Sequence, residues 1–168
     1  GEGSGPNGWD NYEALMPVTV HALDPQGYTT GTSSYGMGFL LRWTGHTPGG
    51  PFLQPNHGLY PLGGLWVFRW FNSTERWELW INENQAILPQ PGNDISVGVT
   101  YWYRVRCHDA PGGGTLYAFK VWPDGAAEPS AWTFEYTTNP GDPPRGSLLL
   151  VAHHVDVSFG NIVVTHLP

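Results

Sequence analysis

Apolar and polar residues alternate with a period of two along most of this chain, and Gly or Pro interrupts every window that would otherwise keep helical spacing. "YEALMPVTVHAL" (12–23) is strand-like, with Pro17 predicting an edge position or a bulge. In "YGMGFLLRWTG" (35–45), Phe39, Leu41 and Trp43 alternate against Leu40 and Arg42. "GLWVFRWFN" (64–72) and "RWELWINE" (76–83) flank "NST", a short hairpin connection. "TYWYRVRCHD" (100–109) and "TLYAFKVWP" (115–123) flank "APGGG", a second one. "AWTFEYTT" (131–138), "GSLLLVA" (146–152) and "VSFGNIVVTHL" (157–167) complete the set. Roughly nine to eleven short strands with turn signals about every 8–12 residues predict an all-β, antiparallel two-sheet sandwich rather than a βαβ fold. The longest irregular stretches are 44–63 and 137–146, and long loops within a domain are often functional.

Composition sharpens this picture. The 168 residues suit a single domain over 1–168, large enough to bury a proper core. Gly (23) and Pro (16) are abundant, yet aromatics reach 14%, so there is apolar surface enough to offset the entropy of ordering. The formal charge is −7, and the seven cations form no basic run, which argues against a nucleic-acid partner. No stretch approaches the length of a membrane-spanning helix. No signal peptide is visible, and the opening "GEGSGPNGW" lacks Met, so a mature or excised segment is expected. Cys107 is the single cysteine and reads as a buried free thiol in a strand.

The turn "KVWPDGAAEPSAW" (120–132) combines these signals. Pro123 ends a strand, Asp124-Gly125 permits a positive φ, and Pro129 stiffens the return. Trp122 and Trp132 are expected at the two ends of the loop. Glu128 is expected to meet Lys120 or a strand arginine, clamping the turn.

With "GFLLRW" (38–43), "YWYRVRC" (101–107), "LYAFKVWPDGAAEPSAW" (116–132) and "GSLLLVAHHVDVSFGNIVV" (146–164), the chain resembles the concanavalin A-like lectin/glucanase jelly-roll superfamily, in particular its laminin-G-like modules. The resemblance covers residues 9–167 and implies a jelly-roll sandwich. It carries little about function, because sugar binders, hydrolases, lyases and adhesion modules share the scaffold.

Strand alternation then sorts the candidate chemistry. Trp102, Arg104, Arg106 and His108 share one face of their strand, opposite Tyr101, Tyr103, Val105 and Cys107. Arg76, Glu78, Trp80 and Asn82 share a face opposite Trp77, Leu79 and Ile81. Indole faces stack on sugar rings while Arg, Glu, Asn and His satisfy hydroxyls. The expected ligand-binding set is therefore Trp43, Trp80, Trp102, Arg104, Arg106, His108, Arg42 and Glu78, with Trp66 or Trp70 as the next candidates for an exposed indole and with Tyr60 and His57 from the long loop walling one end of a groove.

Catalysis is less well supported. The paired carboxylates of the superfamily's hydrolases have no counterpart except Glu75 and Glu78, whose odd spacing puts them on opposite faces. The lyase ingredients Arg104, Arg106, His108 and Tyr103 occur without the lyases' motif strings. The resemblance also implies a structural Ca²⁺ held by Asp156 with Asp10 or Glu2, although Gly160 stands where many relatives have Asp. "HHVD" (153–156) could serve a metal only if the chain turns there, since adjacent strand residues point to opposite faces.

The leading expectation is a non-catalytic, lectin-like carbohydrate-binding module of a secreted or cell-surface protein, with a polysaccharide or glycan as partner. The alternatives are an adhesion or virion surface module that self-associates, and a polysaccharide lyase or glycoside hydrolase.

Overall fold

The computed structural model describes residues 8–23, 35–46, 61–71, 74–82, 84–87 and 94–168. Tyr60, His57 and Glu2 lie outside them. Among the described residues eleven strands are formed: β1 (Tyr12–Leu23), β2 (Tyr35–His46), β3 (Pro61–Phe71), β4 (Thr74–Ile81), β5 (Asn84–Ile87), β6 (Thr100–Asp109), β7 (Thr115–Pro123), β8 (Phe134–Thr137), β9 (Ser147–His153), β10 (Val155–Phe159) and β11 (Val163–His166). They build two antiparallel sheets packed face to face, so the predicted all-β sandwich is present. One sheet runs β10-β1-β6-β7-β8, with β11 also beside β1; the other runs β5-β4-β3-β2-β9.

The inward-facing halves of the alternating strands make the core. From the six-stranded sheet come Ala14, Met16, Tyr103, Val105 and Phe119; from the five-stranded sheet come Phe39, Leu41, Trp66, Phe68 and Trp77. Aromatic rings meet across the layers: Phe39 with Tyr103 at 5.0 Å, Trp66 with Phe119 at 4.7 Å, and Trp77 with Phe119 at 4.6 Å between centroids. Such tilted and edge-on pairs add to the transfer term of burying large rings. Trp66 and Trp70 are 0% and 5% exposed, so both are core residues and neither is an exposed indole available to a ligand.

Pro17 departs from expectation. It sits neither on an edge nor in a bulge but in the middle of β1, which has β6 on one side and β10 and β11 on the other. The carbonyl of Pro17 accepts from Gly160 N at 2.8 Å, so the backbone of Pro17 faces the β10–β11 side. That is where its missing N–H falls, and the neighbouring strand is interrupted there. The predicted single strand over 157–167 is accordingly two, parted at Gly160, where a Cβ would lie 2.6 Å from Pro17 Cγ.

The chain passes from β9 in one sheet to β10 in the other through His154, held at φ 53°. This supplies the turn that "HHVD" requires, and the rings of His153 and His154 lie 4.7 Å apart at 88°.

Candidate functional site

Inward placement of Tyr103, Val105 and Cys107 leaves Trp102, Arg104, Arg106 and His108 on the outer face of β6, as the alternation predicts. Register with the flanking strands arranges this face in rows. Trp102 stands between Pro17 and Trp122, Arg104 between Leu15 and Lys120, and Arg106 between Glu13 and Ala118.

Glu13, 8% exposed, bridges the two arginines. Arg104 Nη1 donates to its Oε1, while Arg106 Nε and Nη2 donate to its Oε2 at 3.0 and 2.7 Å. Arg104 is also forked onto Glu128, Nε to Oε1 at 2.7 Å and Nη2 to Oε2 at 2.9 Å. Paired charge-assisted bonds of this kind fix direction as well as distance. Lys120 Nζ lies 2.7 Å from Glu128 Oε1 and donates to Pro129 O at 2.9 Å. The expected clamp is therefore present and recruits a strand arginine too.

The turn is folded back onto the sheet by these bonds. Gly125 takes φ 84°, and Ala126 N donates to Pro123 O at 3.1 Å. Trp132 is thereby brought over the rows, with Arg106 4.7 Å and Lys120 5.0 Å from its ring centroid. Trp102 is held by Nε1 donation to Asp124 Oδ1 at 2.7 Å. Both indoles are half-buried. Arg104, Arg106 and Lys120 meet Glu13 and Glu128 here, and the Asp124 carboxylate on Trp102 balances the third cation. The Arg104 fork, opposed by burial and aided by Lys120, holds the Glu128 carboxyl down to about 2.

The remaining predicted residues do not join this face. Trp80 and Glu78 lie on the outer face of β4, in the other sheet, and so point away from it across the sandwich. Glu78 is 1% exposed and accepts from Arg76 Nε at 2.7 Å, Trp80 Nε1 at 2.8 Å and Arg69 Nη1 at 3.2 Å. Trp43 and Trp80 are half-buried against the apolar patch of Leu40, Leu65, Val67 and Val151. The expected single groove is replaced by two platforms on opposite sides.

Arg42 belongs to neither platform. At φ 52° within a β2 irregularity it breaks the alternation, sending its own side chain inward and Trp43 outward. Its guanidinium, 1% exposed, caps one end of the sandwich through Asp109 Oδ1 at 2.7 Å, Thr115 Oγ1 at 2.8 Å, Asn11 Oδ1 at 2.9 Å and Asp10 O at 3.0 Å. It is a structural residue and is not offered to a ligand.

The proposed calcium ligands are likewise separated. Asp10 lies just before Tyr12, where it pairs with His166 and Asn11 N, whereas Asp156 is registered with Ala22. A strand rising about 3.3 Å per residue puts these sites on the order of 30 Å apart, so they cannot share an ion. Among the described residues, no three His, Cys, Asp or Glu side chains are grouped to hold a metal. The lyase ingredients also fail to converge, because Tyr103 is 1% exposed on the core side of the sheet that carries Arg104 outside. No helix among the described residues is long and apolar enough to cross a membrane.

Glu13 and Trp132 were missing from the expected binding set. Glu13 has the right alternation in "YEALMPV", but its partners are 91 and 93 residues away, and local sequence does not encode that register. Comparison with known proteins finds no family model that matches the chain and no curated relative.

Proposed function

We propose that this chain is a non-catalytic carbohydrate-binding module, lectin-like and of the concanavalin A-like kind, acting in a secreted or cell-surface protein. One observation carries the reading: two partly exposed indoles, Trp102 and Trp132, stand beside a cross-linked array of Arg104, Arg106, Glu13, Lys120 and Glu128 on the outer face of the six-stranded sheet. Indole surface suits the CH faces of sugar rings, and polar groups already fixed in place lose little entropy when hydroxyls bind them. A glycan lying along the rows would meet stacking and hydrogen-bonding groups in alternation.

Affinity gels and calorimetry with β-glucans, xylans and alginates test this. Retention by at least one polymer, weakened about tenfold or more in Trp132→Ala, is expected, since one lost aromatic contact is worth roughly 1–2 kcal/mol. No retention by any polymer would count against it.

A second reading, self-association, is favoured by Val97, Val99, Ile162 and Val163, which are 42%, 39%, 38% and 59% exposed. Light scattering across a concentration series separates the two: a stable oligomer supports assembly, a monomer that binds glycan supports recognition.

A further inference from the structure

The Lys and Arg residues on strands of the six-stranded sheet are Arg104, Arg106 and Lys120, and a carboxylate already holds each of them. Arg104 directs Nε and Nη2 to Glu128 and Nη1 to Glu13. Arg106 directs Nε and Nη2 to Glu13. Lys120 Nζ reaches both Glu128 and the carbonyl of Pro129. Uronate and sulfate groups draw their binding strength from guanidinium forks or ammonium groups open to them. On this face such a group must first separate Glu13 or Glu128 from its cations. Glu13 is buried, and a buried carboxylate stripped of its partners is strongly unfavourable.

Further carboxylates border the same surface. Asp124 accepts from Trp102 Nε1 at 2.7 Å and so stands at the edge of that indole. Glu135 is opposite Ala118, which in turn is opposite Arg106, so all three share the outer face. Two strand spacings put the Glu135 backbone about 10 Å from that of Arg106, across the short side chain of Ala118. Glu135 is exposed, and among the described residues no cation lies against it. Glu13, Glu128, Asp124 and Glu135 thus outnumber Arg104, Arg106 and Lys120 around the two indoles. The chain as a whole, at −7, adds a field of the same sign.

An uncharged sugar ring meets a different surface. A guanidinium has five N–H groups, so Arg104 and Arg106 each retain donors for hydroxyls beyond those given to Glu13 and Glu128. The fixed carboxylate oxygens accept from hydroxyls with no change in charge. Trp102 and Trp132 supply stacking surface. A free amine would find Glu135 as its exposed partner, and solvated pairs of that kind add little.

We infer that the sheet face takes an uncharged polysaccharide and turns away polymers of uronate or sulfated sugars. The inference rests on the reading of the chain as a glycan-binding module and names the class of glycan.

Affinity gels of the whole chain at pH 8, where ordinary imidazoles are uncharged, test it with matched polymers. The pairs are hydroxyethylcellulose and carboxymethylcellulose, methyl-esterified pectin and polygalacturonate, and dextran and dextran sulfate. In at least one pair the uncharged member is expected to be retained about tenfold or more tightly than the charged one at low salt, and to be released by Trp132→Ala. The gap is expected to narrow between about 0.01 M and about 1 M salt, as the screening length falls from about 30 Å to about 3 Å. Glu135→Lys is expected to narrow it severalfold. Glu75→Lys, the same change of charge at an exposed position in the other sheet, is expected to leave it as it was. A charged polymer retained as tightly as its uncharged partner overturns the inference, and so does a gap that Glu135→Lys leaves intact or that both substitutions narrow equally. Acidic-polymer retention that Trp132→Ala abolishes would overturn this inference alone and leave the sheet-face reading standing. Silence with every polymer would count against both.

Discussion

Arg104 and Glu128 stand 24 residues apart and meet through two parallel bonds of 2.7 and 2.9 Å, which turn the loop after β7 back over the strand beside it. Because both side chains are partly solvated, the pair orients more than it stabilises. Arg104→Lys retains charge and loses the fork. The expected result is a global stability change of about 1 kcal/mol or less, with a marked rise in amide exchange over 125–133. Hydrogen exchange and denaturant unfolding on the same variant check both halves.

Acid should reveal the same contact. The Glu128 carboxyl ordinarily titrates at 4.5 and is held at about 2 in the folded chain by Arg104 and Lys120. A carboxyl that binds its proton more weakly when folded favours the folded form above about pH 4.5, and loses that contribution as pH falls through about 2. Glu128→Gln should flatten the decline of unfolding midpoint across that window and leave little difference in slope above pH 5.

At the other end of the sandwich, Arg42 is 1% exposed and joins β1, β6 and β7 through their ends and the loop at Pro143. Arg42→Met leaves those acceptors without their donor and is expected to cost about 3–5 kcal/mol. Urea unfolding should show a lower midpoint with an unchanged slope.

Pro17 and Gly160 are expected to be coupled. A Cβ at position 160 would strike the proline ring 2.6 Å away, so Gly160→Ala should destabilise by about 1–3 kcal/mol. Pro17→Ala removes the obstructing ring atoms and should recover part of that loss. A double-mutant cycle measures the coupling, and strictly additive effects would refute the contact.

Cys107 is fully buried and its thiol is pushed up to about 11, chiefly by burial. Native protein should resist a thiol reagent at neutral pH, and labelling should track global unfolding in denaturant.

The strands and their faces were legible because short runs such as "YWYRVRC" state their alternation within a few residues. The clamp between Lys120 and Glu128 was legible for the same reason: eight positions and a tight turn separate them. Arg42 was misread because a single positive φ inverts the pattern, and nothing in "GFLLRW" announces it. The split of Trp80 from Trp102 was hidden more deeply. Each strand shows which residues share a face, but which sheet the strand joins depends on pairings between distant segments. Pro17 illustrates the converse, since its rule concerned N–H groups and was met by a break in β10–β11 that lies 143 residues onward at Gly160.

The way β1 is enclosed has a consequence for synthesis on the ribosome. It emerges well before residues 155–166, which close one of its flanks. Until those arrive, the nascent polypeptide exposes an unzipped margin next to Val18 and Val20. Timing of translation, and any chaperone that shields that margin, thus bears on yield as much as the finished contacts do.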